Sequence, residues 1–319
     1  MNVRRAAAFA ALFLVASSEL AAQPTRENAA RAAVARAAEP AAPGEPVRRL
    51  VEVPRTGSEF WIPFGSVFVP GLGQYMHGAP WTGVGYSGVA IGGYTLSSRG
   101  NAELSVPRDG DDQLAFEGLH LAFTAGALSA WDAFHRAMPA LRRVDKYAFY
   151  ETHEDLGDLL TAPLDLRFLG RWTTWVDLAF TTGVTAYVLT EGRDDVGKRP
   201  FRTHDAAFAV GLSLNAAVGE EALFRGWLLP MLAQKLGGRF WLANVLQAGL
   251  FGLGHPQAGA FAVVIGAGAL YNGWLTRRNS WSVREAIFQH FWYDVAVVTA
   301  TLLRDDRGVV TVAPITIRF

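Results

Sequence analysis

Apolar stretches with few charges recur along this chain, and they restrict its fold more than any other feature. Most approach the ~20 residues that a tilted helix needs to cross the hydrocarbon of a bilayer. Aromatic residues cluster near their ends, which is typical of membrane interfaces. The sequence therefore predicts an all-α polytopic transmembrane helix bundle with about seven to eight membrane segments. The stretches cover residues 61–75, 81–97, 115–133, 172–190, 205–219, 240–254, 259–275 and 285–303.

Composition excludes several kinds of binding partner and of catalytic or metal site. Only 18% of the residues are charged, below the roughly 25% of soluble domains. The 29 basic and 29 acidic residues balance, whereas a nucleic-acid-binding surface is strongly basic. The chain has no cysteine, which excludes disulfides, thiolate metal sites and a cysteine nucleophile. We expect the lipid bilayer as a partner and no nucleic acid.

The amino-terminal region has the pattern of a targeting segment followed by a linker. Arg4 and Arg5 precede an uncharged apolar run at 6–16, so residues 1–22 are predicted to be a signal peptide or signal anchor. Residues 23–60 are rich in Ala, Pro and Arg and predict a linker. The signal and the Ala- and Arg-rich composition favour a bacterial cell (inner) membrane. We divide the remainder into glycine-rich membrane segments at 61–171, a core at 172–303 and a tail at 304–319.

Ionisable side chains inside apolar stretches are costly and mark candidate functional sites. The run GEEALFRGWLLP contains Glu220, Glu221 and Arg225. Residues four apart share a helix face, which predicts an ion pair between Glu221 and Arg225. Glu220 is rotated by ~100° from its neighbour, and we expect it to point into a different cavity. A desolvated Glu220 suits a general base.

Two further segments carry histidines. His255 lies at the end of the stretch 240–254, and His290 and Asp294 share one face of the last stretch. These residues can converge with Glu220 in the core of a bundle, where facing helices build sites. Other polar residues within apolar stretches are interpreted as packing or as the lining of a water path; they are Glu117, His120, Asp132, His135 and Asp177.

Together the three motifs resemble the CPBP family of intramembrane endopeptidases. They read EEALFR at 220–225, FGLGH at 251–255 and HFWYD at 290–294. That family includes the type II CAAX prenyl endopeptidases and bacteriocin-processing and immunity relatives. The resemblance covers roughly residues 172–303. It implies an integral membrane hydrolase that cuts membrane proteins or lipidated peptides.

The resemblance also implies roles for the motif residues. Glu220 would be the base that activates water, with His255 helping to hold that water. Glu221 and Arg225 would support the site, and His290 with position 294 would bind the developing oxyanion. Asn is the residue expected at 294, and an ionised Asp294 cannot donate a hydrogen bond. Asp294 is therefore protonated, orients His290, or binds an ion.

Three alternatives stay open. Glu220, His255 and His290 could bind zinc, although the HExxH motif is absent; we expect no cofactor, with zinc as the runner-up. A proteolytically inactive scaffold or immunity-type binding protein would keep the same fold. A transporter with a Glu–His proton relay is a weaker possibility, because paired, repeated broken helices are absent from the sequence.

Overall fold

The computed structural model describes residues 58–100, 107, 109–190, 200–255 and 262–303. Every regular element in these residues is helical, which confirms the all-α prediction for them. The predicted signal segment, nearly all of the predicted linker and the predicted tail lie outside the described residues. The division of the chain into domains therefore stays a prediction.

The helices follow the predicted apolar stretches closely. Their bounds are α1 Trp61–Phe68, α2 Leu72–Met76, α3 Pro80–Ser97, α4 Gly110–Arg142, α5 Leu156–Thr161, α6 Trp172–Thr190, α7 Thr203–Glu221, α8 Leu229–Lys235, α9 Phe240–Leu253, α10 Ala262–Arg278 and α11 Arg284–Leu303. Two 3₁₀ turns, Ala162–Leu164 and Leu166–Gly170, join α5 to α6, and a π-helical segment, Ala222–Leu228, joins α7 to α8.

Two helical stretches in the described part of the chain are long and apolar enough to cross a membrane. They are Thr203–Lys235, which runs from α7 through α8, and Arg284–Leu303, which is α11. Helix α9 is apolar but shorter. The remaining membrane segments of the predicted seven to eight stay a prediction.

The glycine-rich start folds into closely packed short helices. The stretch 61–75 divides into α1 and α2 at Gly71, whose φ of 99° favours glycine. Its amide donates a hydrogen bond to Ser129 Oγ of α4 at 2.8 Å. Gly93 of α3 and Gly118 of α4 face each other so closely that a Cβ on either would strike the other's backbone. These two glycines therefore allow α3 and α4 to pack closely.

The first described residues are fastened to the rest of the molecule through Glu59. Its carboxylate accepts hydrogen bonds from Lys235 at 3.0 Å and Lys146 at 3.3 Å. Burial raises the pKa of Glu59, but hydrogen bonds from its own backbone and from both lysines outweigh burial and lower the pKa below its usual value. Its carbonyl oxygen accepts a hydrogen bond from Trp227 Nε1 at 3.1 Å. This contact ties the start of the described chain to the π-helical segment.

Helix α7 occupies the middle of the bundle and carries the paired glutamates. It packs against α4 on one side and α11 on another, and α11 also packs against α6. Leu212, Ala216 and Ala217 are buried in these contacts. Small residues let the neighbouring helices approach closely. Glu220 and Glu221 at its end are consequently enclosed by other helices.

Candidate active site

A cavity of about 530 Å³ lies among α6, α7, α9, α10 and α11. All six predicted site residues line it: Glu220, Glu221, Arg225, His255, His290 and Asp294. Valines and phenylalanine on α6, with Val264 and Ile265 on α10, form an apolar arm of the same cavity. The cavity thus joins a polar end to an apolar one.

Glu221 is the centre of the polar end. Its Oε1 accepts hydrogen bonds from His290 Nδ1 at 2.8 Å and from Asn272 Nδ2 at 3.2 Å. The same oxygen lies 3.0 Å from Arg225 Nη1, which is the ion pair that the spacing predicted. Both charged side chains are buried. Their mutual pairing compensates charges that burial would otherwise disfavour.

Glu220 lines the same cavity as Glu221, so the expectation of a separate cavity is wrong. The rotation around α7 does separate the two side chains, but the cavity is wide enough at this end of the helix to take both. His290 lies between them: its Nε2 is 3.8 Å from Glu220 Oε2, while its Nδ1 binds Glu221. Glu220 thus faces the histidine without a direct hydrogen bond to it.

His290 and Asp294 adjoin each other as their spacing predicted. His290 Nε2 lies 3.3 Å from Asp294 Oδ2, and both residues line the cavity. The imidazole therefore has a carboxylate on each side, Glu221 at one nitrogen and Asp294 at the other. This arrangement orients the ring.

His255 is held at the end of α9. Its Nδ1 lies 2.7 Å from the carbonyl oxygen of Phe251, and because a carbonyl only accepts, that nitrogen carries the proton. In a neutral ring, Nε2 is then left as an acceptor. Phe251 supports the site further, since its ring lies 4.8 Å from the His255 ring and 4.4 Å below the Arg225 guanidinium.

The comparison with protein families bears on this geometry. Residues 202–296 match the family model described as type II CAAX prenyl endopeptidase Rce1-like. We call residues 202–296 the Rce1-like domain after this similarity. All three motifs lie within the match, so the resemblance to this family is confirmed over a shorter segment than the predicted 172–303. No curated protein and no solved structure gives a significant match to the chain.

Within the Rce1-like domain, the helix that carries the glutamates departs from α-helical geometry. Ala222–Leu228 form a π-helical segment that contains Arg225. Pro230 gives a physical reason: it has no N–H to donate to the carbonyl of Gly226 four residues earlier, and its ring crowds that carbonyl. Segments of this kind are frequent at functional sites. In the sequence, the proline at the end of GEEALFRGWLLP is the feature that could have predicted this departure from α-helical geometry.

Sequence reasoning missed two residues that support the site. Asn272 of α10 binds Glu221, and Phe251 contacts Arg225 and His255. Asn272 could have been found from the sequence, because it is a polar residue within the apolar stretch 259–275. Phe251 could have been found only from its place in the motif FGLGH. Asp177, interpreted as packing or as the lining of a water path, lines the cavity.

The predicted zinc ligands do not form a metal-binding cluster in the described residues. There, no group of three or more His, Asp or Glu side chains is spaced to hold a metal ion. His290 uses Nδ1 to bind Glu221 and turns Nε2 to Asp294. Both nitrogens of His290 thus face carboxylates within the polar end.

Proposed function

We propose that the Rce1-like domain is an intramembrane endopeptidase in which Glu220 activates water. The observation that supports it best is the convergence of all three motifs on one cavity. The two candidate membrane helices, Thr203–Lys235 and Arg284–Leu303, carry every predicted site residue except His255. The proposed location is accordingly an integral membrane one, as the sequence suggested.

The proposed reaction needs one base and one site for negative charge. Glu220 takes a proton from a water held beside His255 Nε2, and the hydroxide oxygen attacks the carbonyl carbon of a peptide bond. The carbonyl oxygen gains the displaced electron pair, and protonated His290 stabilises it. As the C–N bond breaks, Glu220 returns the proton to the leaving amine. Peptide and water are thereby converted to a carboxylic acid and an amine.

Glu221 and Arg225 have a supporting role in this proposal. Glu221 fixes His290 through Nδ1, so that Nε2 is the nitrogen directed toward Asp294 and Glu220. Arg225 neutralises Glu221, and no arginine among the described residues forms an ion pair with Glu220. When two neighbouring carboxylates have different surroundings, they can take different roles, and one of them can act as the general base.

The cavity favours substrates that are apolar on one side of the cleaved bond. Its arm is lined by Val176, Phe180 and Val184 of α6, and such a surface binds apolar groups after they leave water or lipid. We propose membrane proteins or lipidated peptides as the substrate class. The CAAX prenyl substrates named in the family description are one case of that class.

The first experiment compares protein N-termini from membranes of cells that carry the wild type or Glu220→Gln. The amide cannot accept a proton, so we expect N-termini that appear with wild type and are absent with the variant. Glu117→Gln is the matched control, because Glu117 on α4 lies against Gly211 of α7 and outside the cavity lining.

The control should give the wild-type set of N-termini at equal protein level. Cleavage by Glu220→Gln at a wild-type rate would refute Glu220 as the base. Identical profiles for all three proteins would favour the scaffold or immunity-type alternative over an active protease.

A further inference from the structure

The π-helical segment depends on partners outside its own helix. In α-helical spacing the carbonyl of Gly226 would accept a hydrogen bond from residue 230, which is proline. The π-helical turn avoids this missing hydrogen bond. Because π-helical turns are rare, contacts from other parts of the chain are relevant to its stability. Arg225, which pairs with Glu221, is the residue directly before Gly226. The shape of this turn therefore bears on the polar end of the cavity.

Tyr150 supplies a donor to this carbonyl. Its hydroxyl donates to Gly226 O at 3.0 Å and lies 2.9 Å from His135 Nε2. Tyr150 is buried, in the loop between α4 and α5. A hydrogen bond in a buried place cannot be replaced by solvent, so its loss is felt at the acceptor.

Two more contacts hold the segment from the same side. The ring of Trp131 on α4 lies so close to Gly226 that a Cβ there would overlap it. Trp227 Nε1 donates to the carbonyl of Glu59. Tyr150, Trp131 and Glu59 all precede residue 202, where the family match begins.

We propose that Tyr150 is a positioning residue that holds the π-helical segment and so places Arg225 and Glu221 for the reaction. The proposal rests on the proposed protease function for its effect on turnover. It gives the region before the Rce1-like domain a specific role, which is to brace the helix that carries the glutamates. Tyr150 does not line the cavity, so its effect must pass through Gly226.

Tyr147 offers a matched control for a lost buried hydroxyl. It lies three residues earlier in the same loop and is also fully buried. Both tyrosine rings pack against Phe134, at 5.3 Å for Tyr147 and 5.7 Å for Tyr150. Among the described residues, the hydroxyl of Tyr147 has no hydrogen-bond partner. The hydrogen bond to Gly226 and the contact with His135 distinguish the hydroxyl of Tyr150 from it.

The experiment compares Tyr150→Phe with Tyr147→Phe in two ways. Hydrogen–deuterium exchange of the full-length protein in lipid nanodiscs reports on residues 222–228 without any need for activity. We expect Tyr150→Phe to speed exchange there by about fivefold, as the loss of one hydrogen bond implies. Steady-state cleavage of a substrate found by the N-terminus comparison gives kcat and KM. For Tyr150→Phe we expect kcat to fall about tenfold with KM within about twofold.

Tyr147→Phe should leave both readouts at wild-type values. If hydrogen–deuterium exchange over 222–228 is unchanged in Tyr150→Phe, Tyr150 does not hold the π-helical segment, whatever the activity. Faster exchange with unchanged kcat would overturn the positioning role. If the wild type cleaves nothing, the protease function fails, while the exchange result still decides whether Tyr150 holds the segment.

Discussion

At the scale of single residues, the best-determined feature is the buried pair of Glu221 and Arg225. Glu221 has three partners, and Arg225 also lies over the ring of Phe251. Removing one member of such a pair leaves the other charge buried without compensation. The pair therefore constrains stability as well as the placement of His290.

We expect Arg225→Ala to destabilise the protein strongly. Loss of one partner of a buried ion pair costs about 3–5 kcal/mol, and here the contact with Phe251 is lost too. Thermal unfolding in detergent, with the folded yield after gel filtration, measures the effect. Arg143→Ala is the control, because Arg143 is exposed after the end of α4. A wild-type melting temperature for Arg225→Ala would show that the pair contributes little.

The sequence predicted which residues would come together better than it predicted their arrangement. Ionisable residues in apolar stretches usually face the interior of a bundle or a cavity rather than lipid. All six candidates accordingly line one cavity. Spacing along a helix could not reveal that Glu220 and Glu221 share that cavity, because its width is set by α6 and α10. Asn272 and Phe251 carry no charge and escaped notice for that reason.

At the scale of elements, the start of α11 is fixed by a buried network around Glu285. This carboxylate accepts hydrogen bonds from Arg171 and Thr173, at the start of α6, and from Asn279 at 2.7 Å. Gln289 contacts it from one turn later at 3.3 Å. Because His290 follows Gln289, the network sets the position of the helix that presents His290 and Asp294.

We expect Glu285→Gln to lower stability by about 1–2 kcal/mol, since Arg171 is partly exposed and solvent screens part of the lost attraction. Thermal unfolding measures this. Asp165→Asn is the control, since Asp165 pairs with Arg167 and Arg284 at the surface side of the same region, and we expect the smaller loss there. An effect of Glu285→Gln no larger than the control would argue against the network.

Helix positions were predictable from apolar length, and two prolines change the local geometry of the helices. The break at Gly71 follows Pro70, and the π-helical segment precedes Pro230. Both are effects of proline on the backbone hydrogen bonds of a helix. The partner of the second, Tyr150, lies 76 residues from Gly226, a distance at which no local pattern gives a signal.

At the scale of the whole molecule, the mechanism predicts how activity responds to metal removal. The described residues form no cluster of three or more metal-ligating side chains, and Glu220 suffices to activate water in the proposed reaction. We expect cleavage by the purified full-length protein to continue after treatment with a strong zinc chelator followed by dialysis. A zinc-dependent protease in the same buffer is the control. Lost activity that added zinc restores would contradict the glutamate mechanism.

The hydrogen bond to the carbonyl of Gly226 affects where this protein can be truncated or joined to another in a chimera. A fragment limited to 202–296 would keep every motif residue yet lose Tyr150, Trp131 and Glu59, which hold the π-helical segment. In hydrocarbon no water is present to replace a missing donor. We therefore expect the smallest unit able to fold to extend beyond the limits of recognisable similarity, so that a chimera has to include α4 and its loop along with the motifs.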